Sequence, residues 1–176
     1  KVRGEKPEHN GTKISFKPDS QIFETLDYDF ATLAARFREM AYLTKGLWIK
    51  FVDLRDDGQE QNFYFDSGIE AYVRHVNRGR NPLHADPIVI QGERDNISVE
   101  VALQYNGSFS EAVPSFANCI NTIDGGSHMT GFRSALTRAL NEYARRAKLF
   151  KDDDPNLSGD DVREGLAAVI SVKLPE

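Results

Sequence analysis

A glycine-rich turn at residues 124–128, Asp-Gly-Gly-Ser-His, is the segment whose residue types and spacing best suit binding chemistry. Two glycines ahead of a helix leave the first backbone N–H groups uncovered, and such groups bind anions such as phosphate. The same pattern also describes a sharp turn into a packed helix. The second interpretation is favoured, because the segment lacks the preceding strand and the lysine of a nucleotide-binding loop.

The histidines and the single cysteine lie too far apart in the sequence for a zinc site, whose ligands are usually a few residues apart. They are His9, His75, His84, His128 and Cys119. The ring of His128, in the first turn of the predicted helix, either hydrogen-bonds a ligand or packs against the turn. The acidic runs at 56–57 and 152–154 lack the alternating spacing of a calcium loop. We therefore expect no metal site, and without a Walker or Gly-x-Ser-x-Gly motif we expect no self-contained catalytic site.

The glycine turn opens onto residues 129–148, an amphipathic segment that predicts a long helix. The predicted buried face consists of Met129, Phe132, Leu136, Ala139, Leu140 and Tyr143, and Ser127 is the predicted N-cap. The segment also carries five basic residues, Arg133, Arg138, Arg145, Arg146 and Lys148, with Glu142 as its only acid. Such charges usually form a solvated face, although in an acidic protein they could also form a confined DNA-contacting surface.

The remaining elements alternate between strand and helix patterns. Strands are predicted at 12–16, 47–52, 61–65, 88–93, 97–105, 111–118 and 167–174, and further helices at 29–44 and 69–76. Residues 57–58 are expected to close a hairpin, Asn106-Gly107 to turn the chain into the strand at 111–118, and Asp160 or Asp161 to cap a helical turn. This order predicts an α+β protein.

Length, net charge and composition exclude several classes of protein function. At 176 residues the chain fits one domain or two small ones, and its net charge of −5 argues against coating nucleic acid by bulk electrostatics. No apolar run approaches the roughly 20 residues that span a bilayer, so we expect no membrane association. The single Cys119 suits a reducing, cytoplasmic compartment. Because the sequence starts without Met and stops directly after a predicted strand, we expect it to be a fragment of a longer chain.

Four segments, in order, resemble the DNA gyrase B family, the ATPase subunits of type IIA topoisomerases. Residues 11–19 (GTKISFKPD) and 36–51 (RFREMAYLTKGLWIKF) resemble the end of its ATPase domain. Residues 121–138 (NTIDGGSHMTGFRSALTR) and 161–173 (DVREGLAAVISVK) resemble its transducer domain. The resemblance implies the C-terminal part of a GHKL ATPase sandwich at residues 1–66. A transducer with the ribosomal protein S5 domain 2-like fold, incomplete at its C-terminus, would follow at 67–176.

The resemblance also implies a function. In the family, ATP with Mg²⁺ dimerises the subunit and closes a clamp on DNA, and the transducer couples this to strand passage and negative supercoiling. The implied partners are a second copy of gyrase B, the gyrase A subunit and DNA, in the bacterial cytoplasm at the nucleoid. The same region of the topoisomerase IV ATPase subunit and a non-enzymatic S5-like interaction module are the alternatives. Gly131-Phe132 and residues 163–166 resemble gyrase more closely than topoisomerase IV.

Few of the family's site residues are implied within this chain. Gly11 and Thr12 match the nucleotide-binding segment, in which the threonine hydroxyl joins a water-mediated network behind the adenine. The catalytic and magnesium-binding residues lie in other parts of the family's sequence, so the chain alone is expected to be inactive and to hold no cofactor. Arg133, one residue from Phe132, is expected to point away from the core and to meet DNA in the clamp cavity.

Overall fold

Two sheets and four helices make up the part of the chain that the computed structural model describes, residues 10–55, 58–151 and 153–175. The helices are α1 (Phe30–Leu43), α2 (Ile69–Val76), α3 (Ser127–Arg146) and α4 (Gly159–Arg163). The strands are β1 (Ile49–Asp53), β2 (Gln59–Phe63), β3 (Ile88–Arg94), β4 (Ile97–Tyr105), β5 (Ser115–Ala117), β6 (Ile120–Asn121) and β7 (Leu166–Lys173).

The larger sheet is built around β7, whose residues from Leu166 to Val172 are all buried. Its strand order is β3-β4-β7-β5-β6, with β7 antiparallel to β4 and parallel to β5. An uninterrupted apolar strand of this kind requires cover on both faces. On one face Ile170 packs with Met129 of α3, and on the other Val169 packs with Val73 of α2. The predicted strand at 97–105 is confirmed as β4, with Val101 and Leu103 on the α3 face.

The smaller sheet is the hairpin of β1 and β2, as predicted from residues 57–58. Its apolar side packs against α1, where the Phe51 ring lies 4.8 Å from the Phe30 ring and 4.9 Å from the Phe37 ring. Asp29 caps α1, because its carboxylate accepts a hydrogen bond of 2.7 Å from the Thr32 N–H. The helix and hairpin predicted between residues 29 and 65 are therefore confirmed.

The prediction of a strand at residues 12–16 is wrong. These residues form no strand, and the side chains of Ile14 and Phe16 are 82% and 75% exposed. Alternating apolar residues favour an extended chain, but a strand also needs a neighbour to satisfy its backbone groups. No neighbouring strand lies beside this segment among the described residues.

The strand predicted at 111–118, after the Asn106-Gly107 turn, also differs. β5 is only three residues long, and it pairs with β7 instead of following β4 across the Asn106-Gly107 turn. The most apolar strand, β7, lies between β4 and β5, where α2 covers one of its faces and α3 the other. The two-residue strand β6, which pairs with β5, has no counterpart in the sequence prediction.

Two predicted helix caps are wrong. Ser127 is the first helical residue of α3, and Gly126 holds the N-cap position without a side-chain hydrogen bond. At α4 the N-cap is Ser158 instead of Asp160 or Asp161. Asp161 takes part from inside the helix, since its carboxylate accepts from the Ser158 N–H at 2.8 Å while the Ser158 hydroxyl accepts from the Asp161 N–H at 3.2 Å. This reciprocal pair satisfies two backbone donors, whereas a single aspartate cap would satisfy only one.

Only the first half of α3 lies on the sheet. Met129, Phe132 and Leu136 pack there as predicted, whereas Ala139 and Tyr143 are exposed. The second half contacts the segment before α4, where the Asn141 side chain donates to Leu157 O at 3.0 Å and accepts from Leu157 N at 2.8 Å. The prediction extends the buried face too far, because helical spacing alone does not show where the sheet ends.

Gly165, between α4 and β7, provides a test of this architecture. It has φ +69°, and a Cβ there would lie 2.4 Å from Asn106 O and 2.9 Å from Ser108 O. Gly165→Ala should therefore reduce the free energy of unfolding by about 3–5 kcal/mol.

Gly131→Ala is the matched control, because Gly131 lies inside α3 with nothing within 4 Å. It should increase stability by about 0.5–1 kcal/mol. Urea unfolding of both variants measures the difference, and equal effects would contradict the close approach at Gly165.

Candidate functional site

A cluster of four charged side chains connects three elements on the α3 side of the larger sheet. Glu111, in the connection between β4 and β5, contacts Arg133 of α3 through Oε1, at 3.0 Å from Nε and 2.9 Å from Nη2. Its other oxygen, Oε2, lies 3.4 Å from Nε of Arg163 at the end of α4. Arg163 also contacts Asp160, at 2.5 Å. The two arginines and two acids therefore form one continuous network with no formal net charge.

Beside this network lies a pocket of about 410 Å³. Its lining includes Ser115, Thr122, Gly125, Met129 and Arg133. The side chain of Arg133 is 42% exposed. Arg133 and the glycine turn therefore line the same pocket.

The His128 ring packs against this turn. Its Nε2 lies 3.1 Å from the Thr122 hydroxyl, which in turn is 2.6 Å from the Ser115 hydroxyl. A Cβ on Gly126 would lie 2.8 Å from Cε1 of the ring. Of the two interpretations of the turn, the sharp entry into a packed helix is therefore supported, because Gly126 makes room for His128.

The other basic residues of α3 are not gathered around Arg133. Arg145 donates to the Asn156 side chain at 3.1 Å, and its guanidinium lies 5.5 Å from the centre of the Phe150 ring, so it fixes the segment after the helix. Arg138 is exposed and 3.9 Å from Glu142. Such exposed pairs contribute little to stability. The basic face predicted for α3 is thus divided among a structural role at Arg145, an exposed pair at Arg138 and an ion pair with Glu111 at Arg133.

Gly11 and Thr12 lie apart from any regular element. Both are exposed, and the Thr12 hydroxyl makes no hydrogen bond within the described residues. Their role in nucleotide binding stays a prediction.

An aromatic stack that the sequence patterns do not indicate joins the two halves of the chain. The Tyr42 ring at the end of α1 lies 3.7 Å from the Phe65 ring and 4.7 Å from the Tyr72 ring of α2. Tyr42 and Tyr72 belong to one buried cluster with Phe116 and Val169 of the larger sheet. Burial, together with the neighbouring Glu39 carboxylate, raises the pKa of Tyr72. Residues before and after position 66 therefore share a core, which connects α1 firmly to the sheet.

The model of the DNA gyrase B family matches residues 68–176, which is more than half of the chain. The chain belongs to the DNA gyrase B family. The resemblance seen in the sequence segments is thereby confirmed, and it extends across α2, α3, α4 and the whole larger sheet.

Individual known proteins agree with the family model. The DNA gyrase B subunit of Halalkalibacterium halodurans is 52% identical over 170 residues, which cover 96% of this chain and 27% of that protein. The DNA topoisomerase 4 B subunit of Bacillus subtilis is 46% identical over 171 residues, covering 97% and 26%. The 43K ATPase domain of Thermus thermophilus gyrase B, solved with an aminocoumarin, superimposes with a TM-score of 0.80 and 42% identity over 92% of this chain and 44% of that one.

These comparisons confirm the predicted fold class, the α+β arrangement of a GHKL ATPase part followed by an S5-like transducer. The chain spans about a quarter of the length of the two curated relatives described above. None of the helices within the described ranges is both long and apolar enough to cross a bilayer. Within those same ranges, no three histidine, cysteine or acidic side chains come together in a way that could hold a metal ion.

The α1–α2 contact of this gyrase B family member should make stability depend on pH through His75. Burial, and to a smaller degree Arg38 and Arg78, lower the pKa of His75, whose ring lies 5.9 Å from that of Tyr42. The unfolded chain then binds a proton that the folded chain does not. Stability should therefore fall as the pH drops below about 6.5, the usual pKa of histidine.

Urea unfolding at about pH 7.5, 6.5 and 5.5, on either side of that pKa, measures this effect. His75→Gln removes the titrating group while keeping a polar side chain of similar reach, so its stability should change less over the same range. Parallel pH dependence in both proteins would contradict the assignment to His75.

Proposed function

We propose that this chain is the coupling segment of a gyrase-type ATPase subunit. Residues 1–66 form the end of its ATP-binding domain and residues 67–176 the first part of its transducer. The observation that carries this proposal is the shared core of Tyr42 and Leu43 from α1 with Ile69, Tyr72 and Val73 from α2. Because packed aromatic rings shift as a unit, a rotation of α1 would move α2 and the sheet with it.

ATP would supply the energy difference between an open and a closed clamp by binding one state more tightly. Gly11 and Thr12 are the residues of this chain that we propose to contact it, and an exposed threonine hydroxyl suits that contact because it can both donate and accept a hydrogen bond. Mg²⁺ and the catalytic groups would be held by other parts of the subunit.

Arg133 is the proposed DNA contact. It is partly exposed, it lies on a helix of 20 residues packed against the sheet, and a guanidinium recognises phosphate oxygens well. In the closed clamp the subunit would pair with a second copy of itself, assemble with the gyrase A subunit and pass DNA through the cavity, in the bacterial cytoplasm. The resulting activity would be negative supercoiling.

Decatenation by a topoisomerase IV subunit is the second candidate, supported by the 46% identity to the Bacillus subtilis protein. The full-length subunit reconstituted with either partner decides between them. Introduction of negative supercoils into relaxed plasmid supports gyrase, whereas decatenation without supercoiling supports topoisomerase IV.

The 176-residue chain alone should show no ATP hydrolysis above the protein-free rate. The physical reason is that general-base and metal-ion assistance would come from residues outside it. A coupled ATPase assay with the chain at micromolar concentration tests this. Turnover that single substitutions within this chain abolish would contradict the proposal.

In the full-length subunit, Arg133→Gln should reduce the ATPase rate measured at a fixed, sub-saturating DNA concentration by up to about tenfold, since one charge-assisted phosphate contact is lost and DNA binds more weakly. Arg138→Gln is the matched control, because it removes the same charge from an exposed position on the same helix. A loss of the DNA-free rate as large as that of the DNA-stimulated rate would contradict a DNA contact at Arg133.

A further inference from the structure

We infer that Glu111 competes with DNA for Arg133. Its carboxylate binds the Arg133 guanidinium when DNA is absent, and a DNA phosphate displaces it when DNA enters. The inference rests on the proposed DNA contact of Arg133 and adds a residue that sets the strength of that contact. Glu111 is a positioning residue here, since its own carboxylate would repel the phosphate.

The contact geometry shows that Glu111 occupies the atoms a phosphate would need. A guanidinium binds oxyanions best through two parallel N–H groups. Both Nε and Nη2 of Arg133 contact a single oxygen of Glu111, at 3.0 Å and 2.9 Å. DNA can therefore use this edge of Arg133 only after the carboxylate has released it.

The second oxygen of Glu111 keeps a partner when the ion pair with Arg133 breaks. It faces Arg163, whose side chain is only 21% exposed and is itself fixed by Asp160. When Arg133 turns away, the carboxylate keeps a cationic partner and is not left unpaired in a partly buried position. Because the Arg133 side of the pair is 42% exposed and therefore screened by water, and because Glu111 keeps Arg163 as a partner, the exchange costs less free energy than breaking a fully buried pair.

The absence of net charge on the network affects how strongly it attracts DNA from a distance. Arg133 and Arg163 are balanced by Glu111 and Asp160, so the closed network attracts a distant polyanion only weakly. The positive charge of Arg133 becomes available only at contact distance. A phosphate held close by the clamp would then compete successfully, whereas a passing anion would not.

The test measures DNA affinity in the full-length subunit carrying this segment. A fluorescently labelled linear duplex reports equilibrium binding, and the DNA concentration giving half-maximal ATPase stimulation reports the functional contact. Glu111→Gln removes the competing charge at nearly constant shape and should tighten both by about three- to tenfold. Unchanged or weaker binding overturns the inference.

Glu142→Gln is the matched control, because Glu142 also lies near α3's basic residues but contacts Arg138 and not Arg133. It makes the same change in net charge and should alter affinity by less than about twofold. An equal gain in both variants would mean that total charge, and not release of Arg133, controls binding, and would overturn the inference.

A double-substitution cycle separates this inference from the proposed function. In an Arg133→Gln background, Glu111→Gln should have no further effect, since the two changes act on one contact. A gain that persists there overturns the inference. If Arg133→Gln weakens binding but Glu111→Gln does not strengthen it, only the competitor role fails. If Arg133→Gln has no effect, the proposed DNA contact itself fails.

Thermal unfolding of each variant confirms that folded proteins are compared. Should Glu111→Gln not fold, Glu111→Asp keeps the charge for Arg163 but shortens the reach to Arg133. It should also tighten DNA binding, by a smaller factor than Glu111→Gln. Weaker binding would overturn the inference.

Discussion

Burial of β7 on both faces is the constraint on which the rest of the structure depends. Its residues from Leu166 to Val172 exclude water between two layers of helices, so α2 must cover one face and α3 the other. The pairing of β7 with β4 and β5 positions the connection that carries Glu111, and its start after Gly165 fixes Arg163. The charged network is therefore a consequence of where this one strand lies.

Local patterns are sufficient for elements whose stability is decided by their own residues and nearest neighbours. α1, the β1–β2 hairpin, α2 and β4 each combine a clear period with a turn or cap, whereas β7 is an unbroken apolar run, and each is predictable within a few positions. The strand prediction at 12–16 fails because its pattern depends on a partner strand that is not among the described residues. The predicted extent of the buried face of α3 fails because it depends on where a distant sheet ends.

The candidate site depends even more on contacts between distant segments, which local sequence patterns do not predict. Arg133 is singled out by its place on α3 and by the family resemblance, and its exposure follows from its neighbour Phe132 packing inward. No sequence pattern predicts the contact of Glu111 with Arg163, since the two residues lie in different segments and meet only after β5 and α4 are placed. The Tyr42 stack is not predicted for a similar reason, because its partners come from a loop and another helix. Contacts between distant segments follow from the fold and not from spacing.

The position of β7 has a consequence for how the protein is made. The strand at the centre of the sheet is the last one in the described chain, so on the ribosome the β3–β4 hairpin and the β5–β6 hairpin emerge as two separate pieces with open edges. They can join only when residues 166–173 leave the exit tunnel and insert between them. Until then Met129, Phe132 and Leu136 of α3 have only the β4 side of their cluster, with Val101 and Leu103, and lack Leu166, Ala168 and Ile170 of β7.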